Sequence, residues 1–215
     1  MKLKVCGMKY KDNLEAVAQL QPDYLGFIFY EPSKRYFEGT IPHVPATIKK
    51  VGVFVNESIE TVSETVKRHN LQAVQLHGNE SPEFCTALKT ELQQSLDNTS
   101  IEIIKVFSIK DNFNFEVLAP FETVCDYFLF DTKGQLPGGN GYTFNWDVLN
   151  DYNSSKPYFL SGGIGVNEVE KIKEFKNSSA SKYCYALDVN SKFEIEPGLK
   201  NIDELEMFKN KTIGA

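Results

Sequence analysis

The sequence predicts an α/β protein, a single (β/α)8 barrel spanning residues 1–215, with a short or irregular second helix. Three observations lead there. Short β-branched or aromatic runs recur eight times, at spacings of roughly 20 to 30 residues. Most segments between them carry apolar residues at helical spacing. Several runs also end on a reactive side chain, as expected where parallel strands share one functional edge. An open doubly wound sheet is the competing arrangement, and the count of eight strands favours the barrel.

The strand runs are 2–6, 24–29, 50–55, 72–77, 101–107, 127–131, 157–161 and 183–188. Leu14, Val17 and Leu20 give the first helix its apolar stripe. Residues 40–50 contain Pro42 and Pro45, which weakens the second helix. Ile59, Val62 and Val66 mark the next, and Phe84 with Leu88 the one after. Ser81-Pro82 reads as an N-cap followed by proline at the first helical position. Residues 108–126 show no clean helical period. Asn167 and Glu170 have the spacing of a capping box, and Ile202, Leu205 and Phe208 form the core face of the last helix.

With 215 residues, 41% of them hydrophobic, the chain can bury a sizeable core as one domain. A net charge of -6 disfavours a nucleic-acid-binding face. No apolar run approaches the roughly 20 residues that cross a bilayer, so no membrane role is expected. Residues 2–6 open on a strand pattern rather than an apolar signal segment, and the expected setting is a reducing cytoplasm. Cys6, Cys85, Cys125 and Cys184 are scattered, as are His43, His69 and His77, so neither disulfides nor a metal is expected.

The candidate chemistry sits at strand ends. Cys6 closes the first run before Gly7; it reads as a packing thiol or as a base that needs help to ionise. Lys4 shares its strand parity and either assists the thiol or pairs with a carboxylate. Asp131 ends the apolar run Tyr127-Phe128-Leu129-Phe130, as a cap or as a functional acid. The glycine-rich stretch from Lys133 to Tyr142 reads as a lid or as a surface turn. Arg35, beside Pro32 in a strand-end loop, offers a fork for a carboxylate or phosphate, or is simply solvated. Ser161-Gly162-Gly163-Ile164-Gly165 precedes a helix and suits an anion, or is a tight turn. His77 and Gln75 share a face, lining a cavity or satisfied in a core, and Asp188 has the same ambiguity as Asp131. The other three thiols read as structural.

Taken in order, these motifs closely resemble the phosphoribosylanthranilate isomerase family of tryptophan biosynthesis. The resemblance runs through Lys4-Val5-Cys6-Gly7, Ser33-Lys34-Arg35-Tyr36, Gln75-Leu76-His77-Gly78, Phe130-Asp131-Thr132-Lys133, Gly138-Gly139-Asn140-Gly141, Ser161-Gly162-Gly163, Ala186-Leu187-Asp188-Val189 and Glu196-Pro197-Gly198. It implies an Amadori rearrangement without cofactor or metal, on a small phosphoribosyl substrate, by a monomer or homodimer. Asp131 would be the general acid and Cys6 the general base. Arg35 and Asp188 would lie at the anthranilate end, with His77 also at the substrate. Gly162, Gly163 and Ser191 would lie near the phosphate. One departure stands out: the family usually reads Asp-Val-Ser-Ser-Gly-Val-Glu after the last strand, and here Lys192 replaces the glycine. Its backbone is then less free to take positive φ, while its ammonium either meets phosphate or points to solvent. A related phosphosugar isomerase and a non-catalytic phosphosugar-binding barrel are the alternatives. Cys6 argues against the histidine-pathway Amadori barrel, which is expected to use two aspartates.

Overall fold

The computed structural model describes residues 1–96, 100–110, 112–132 and 144–214. Eight strands close into a barrel in chain order: β1 (Lys2–Val5), β2 (Tyr24–Ile28), β3 (Lys49–Phe54), β4 (Ala73–Leu76), β5 (Glu102–Ile109), β6 (Tyr127–Thr132), β7 (Tyr158–Leu160) and β8 (Cys184–Val189). Every neighbouring pair is parallel, and β8 returns to β1. All eight expected strands form, with ends displaced by a residue or two.

Strand alternation divides the core. On β6, Phe128 and Phe130 join the large cluster beneath the helices, while Leu129 joins a smaller one with Tyr24, Val51, Ala73, Ile104 and Phe159 inside the barrel. Above this plug, the inward positions nearest the C-terminal ends of the strands turn polar: Lys4, Gln75, Asp131 and Asp188 are all buried. The apolar plug therefore closes the barrel from below and leaves its upper mouth to chemistry.

Among the described residues, five α-helices cover the outside: α1 (Lys11–Gln19), α2 (Ile59–His69), α3 (Pro82–Ser95), α4 (Val169–Lys176) and α5 (Ile202–Thr212). Leu14 and Val17 of α1 and Val62 and Val66 of α2 are buried as their spacing requires, each burial stabilising by about 2 kcal/mol. Leu20 lies one residue past α1 as its cap. Ser81 accepts the Phe84 N–H at 3.2 Å with Pro82 at the first helical position, as expected. α5 buries Leu205 and Phe208 behind an Asn201 cap.

Among the described residues the β2–β3, β5–β6 and β6–β7 connections hold no α-helix, the last carrying the 3-10 helix Trp146–Asp151, and the helix after β7 starts differently than expected. Between β2 and β3 the chain runs irregularly past Pro42 and Pro45 and forms no helix, the extreme of the irregularity those prolines foretell. Between β5 and β6 a 3-10 helix, Phe115–Phe121, accommodates Pro120. After β7 the expected Asn167/Glu170 capping box does not form. A 3-10 turn, Val166–Glu168, starts earlier and puts Asn167 inside it, so Glu168 instead accepts the Gly165 N–H at 2.7 Å. Glu170 pairs with Lys173 on the surface.

Candidate active site

A cavity opens at the C-terminal mouth of the barrel. Cys6, Arg35, His77, Asp131, Gly162, Gly163, Asp188 and Ser191, the complete set of site residues anticipated from the sequence, all line it. The glycine-rich stretch from Lys133 to Tyr142 lies outside the described residues.

The thiol side is built by strand register. β1 and β8 pair Lys4 with Asp188, and their side chains form a 2.8 Å ion pair sealed from solvent. Lys4 pairs with the carboxylate, and its charge also acts on the nearby Cys6 thiol. Burial alone would lower the Lys4 pKa, yet Asp188 and then Cys6 hold it above the ordinary lysine value. Burial pushes the Cys6 thiol up, opposed chiefly by the Lys4 charge and more weakly by Lys200. Burial likewise raises Asp188, against the pull of Lys4. Gly26 of β2 makes room for the sulfur: a Cβ there would stand 2.7 Å from Sγ of Cys6.

Beyond β8 the chain supplies a second set of charges. Glu194 accepts from Nε of Arg35 at 2.9 and 3.0 Å and from its Nη2 at 2.7 Å, and from Lys200 Nζ at 2.7 Å. Lys200 also reaches the side-chain oxygen of Asn190 at 2.7 Å. Arg35 is therefore not a free guanidinium in a loop. It is a fork held from behind, with its side chain at the cavity wall. Burial alone would raise Glu194, but the Arg35 hydrogen bonds and the Lys200 charge keep it below the ordinary carboxylate value. Burial lowers Lys200 despite Glu194.

The carboxylate side stands on β4 and β6. Asp131 is 5% exposed, and its Oδ1 accepts the Thr132 N–H at 2.9 Å. His77 Nε2 lies 3.6 Å from Asp131 Oδ2, and His77 Nδ1 lies 3.2 Å from the Gln75 amide nitrogen. His77 is thus a wall of the cavity rather than a satisfied core histidine.

The third side is the turn after β7. Gly162 and Gly163 take φ of +90° and +68°, and a Cβ on Gly162 would meet Oγ1 of Thr132 at 2.2 Å. Backbone can approach a ligand there. The Gly165 N–H cannot contribute as supposed, since Glu168 already holds it. Ser191 opens a 3-10 turn, Ser191–Phe193, and Lys192 within it keeps an ordinary negative φ. The lysine in place of glycine therefore imposes no backbone strain, and its side chain stands at the cavity rim.

Sequence reasoning overlooked Lys200, Glu194, Asn190 and the role of Gly26. Glu194 and Lys200 flank Glu196-Pro197-Gly198, a motif that signalled family and carried no visible chemistry of its own. Cys85 and Cys125 are buried in the core, as structural thiols should be. Among the described residues no cluster of three or more His, Cys, Asp or Glu is placed to hold a metal ion, and no helix is long and apolar enough to cross a membrane.

A closed parallel barrel with a thiol and a carboxylate lining one cavity at its C-terminal mouth has the architecture of a (β/α)8-barrel enzyme. The family model described as N-(5'phosphoribosyl)anthranilate (PRA) isomerase matches residues 3–211, and the chain belongs to that family. A Parabacteroides distasonis protein named N-(5'-phosphoribosyl)anthranilate isomerase is 42% identical over 214 residues, covering 97% of this chain and 91% of its own length. The crystal structure of phosphoribosyl anthranilate isomerase from Thermotoga maritima superposes with a TM-score of 0.80 at 29% identity, covering both chains fully. A second solved isomerase, in complex with reduced 1-(o-carboxyphenylamino)-1-deoxyribulose 5-phosphate, gives a TM-score of 0.75 at 27% identity, again over the whole of both chains.

Proposed function

We propose that this chain converts N-(5'-phosphoribosyl)anthranilate to 1-(2-carboxyphenylamino)-1-deoxyribulose 5-phosphate, the isomerase step of tryptophan biosynthesis. The observation that carries the reading is one cavity with Cys6 and Asp131 on separate strands, a held guanidinium at one side and a glycine turn at another. Asp131 gives a proton to the ribose ring oxygen, the C1–O bond breaks, and the aniline nitrogen pair forms an iminium ion. Cys6, as thiolate, takes the proton from C2, leaving an enolamine. Tautomerisation then yields the ketone. Each step moves only protons and electron pairs within the substrate, so no cofactor or metal is required.

Arg35 and Asp188 border the anthranilate end, Arg35 as the partner of the substrate carboxylate. His77 sits beside the acid. Gly162, Gly163 and Ser191 receive the phosphate, with Lys192 at the rim. The chain works as one catalytic domain, monomer or homodimer, on a small soluble substrate in the cytoplasm.

The test is the fluorescence decay of freshly generated phosphoribosylanthranilate on adding purified protein, with Cys6→Ala alongside. Rapid decay with wild type alone is expected. No decay with wild type that still binds a phosphosugar would overturn the reading.

A further inference from the structure

Gln75 is only 2% exposed, yet it belongs to the cavity wall beneath His77. Its Oε1 is buried without a hydrogen-bond partner. Native interiors rarely leave such an acceptor unpaired, and each case calls for a reason. The reason lies in the neighbouring ring. Once Asp131 has given up its proton it only accepts hydrogen bonds, so to meet it the imidazole nitrogen that faces its Oδ2 at 3.6 Å must carry the hydrogen. In a neutral ring the other nitrogen, Nδ1, is then an acceptor. Only the amide nitrogen of Gln75, 3.2 Å away, can satisfy it there. Turning the amide that way strands Oε1.

We propose that Gln75 is a positioning residue that fixes His77 in its Nε2–H tautomer, so that His77 donates to Asp131 as the acid loses its proton. The catalytic half of this proposal rests on the acid role given to Asp131 above. With Oδ1 already accepting the Thr132 N–H, the His77 N–H is the donor that meets negative charge developing on Oδ2. The 3.6 Å separation is long for a ground-state hydrogen bond, and such contacts tighten when charge appears. The reverse tautomer would aim a nitrogen lone pair at that charge.

The side chain is thus chosen for catalysis at some expense to packing, and that gives the experiment its discrimination. His43, His69 and His77 are the only three histidines, so nitrogen-15 NMR of labelled protein at mildly alkaline pH, with His77→Asn for assignment, reads the tautomer directly. Wild type is expected to show His77 as the neutral Nε2–H form. Gln75→Met is expected to mix the tautomers and lower kcat about tenfold or more with little change in KM, while Tm stays level or rises because the stranded acceptor is gone. Gln75→Asn, whose amide falls short of the ring, should behave like Gln75→Met and guards against a variant that fails to fold. A wild-type His77 found as Nδ1–H or as imidazolium overturns the proposal, as does an unchanged tautomer or kcat in both variants. A wild type with the expected tautomer and no turnover would instead overturn the reaction itself.

Discussion

At the N-terminal end of the barrel Lys49 pairs with Glu102 and Lys2 with Asp23, and the lysine side chains there stay 41% and 44% exposed. Tyr24, Tyr127 and Tyr185 fill the space between them, and burial, then neighbouring hydroxyls, push Tyr24 and Tyr127 up so that both stay neutral. At the C-terminal end the lysines of the Lys4–Asp188 and Lys200–Glu194 pairs are wholly sealed. The residue types are alike; the solvent is not. Exposed pairs contribute at most about 1 kcal/mol, whereas sealed charges cost several kcal/mol unless matched. The lower end completes its own charges and needs nothing further. The upper end sets its cations around a thiol that burial pushes up, and their charges draw it only part of the way back.

The contrast breaks most easily at the two reacting groups. Cys6→Ala and Asp131→Asn should each lower kcat by roughly a thousandfold, general acid–base groups being worth about 10² to 10⁴. Thermal unfolding should move little in either. Activity near wild type in one of them would remove that residue from its role.

Lys4→Met comes next, and it should damage both stability and rate. Leaving Asp188 buried without its partner is expected to cost about 3–5 kcal/mol, measured by urea unfolding. In whatever fraction folds, the rate should rise with pH later than in wild type. The Lys4 charge lowers the Cys6 pKa, so its loss leaves burial opposed only by the weaker pull of Lys200, and thiolate forms only at higher pH. An unshifted limb would mean that Lys4 serves Asp188 alone.

Glu194→Gln should act more mildly, raising KM more than it lowers kcat, because Arg35 loses the charged two-oxygen acceptor that aims it. It should also change the acid side of stability. Glu194 is held below the ordinary carboxylate value in the folded chain, so its contribution is present above the unfolded pKa of about 4.3 and fades as pH falls through the folded one. Urea midpoints measured as pH falls below about 4.3 should therefore drop less steeply in the variant. Smallest of all is Glu102→Gln at the lower end, expected to cost under about 1 kcal/mol and to leave turnover alone. A clear loss of activity there would show that the two ends are not separable.

Much of this was legible before the structure. Strand-end residues such as Cys6, His77 and Asp131 stood out as candidates because each closes an apolar run, but each also had a structural reading, and only their order in a family pattern singled them out. Gly162 and Gly163 were legible because positive φ restricts the choice of residue so narrowly. The Glu194–Lys200–Arg35 network was not. Its members come from the antiparallel pair Glu194–Glu196 and Leu199–Lys200 past β8 and from a loop about 160 residues earlier, and only closure of the barrel brings them together. Gly26 was hidden for a related reason: it looks like any strand glycine until the sulfur of the next strand is placed against it. The failed capping box shows the limit of local spacing, since a glycine turn upstream moved the helix start.

The central claim is that turnover follows ionisation of Cys6. The decisive measurement titrates the Cys6 thiolate by its ultraviolet absorbance, as wild type minus Cys6→Ser, beside the pH dependence of kcat/KM, which reports the free enzyme. The account predicts that both rise through the same midpoint, above that of an ordinary thiol. Full kcat/KM at a pH where Cys6 is still protonated would contradict it.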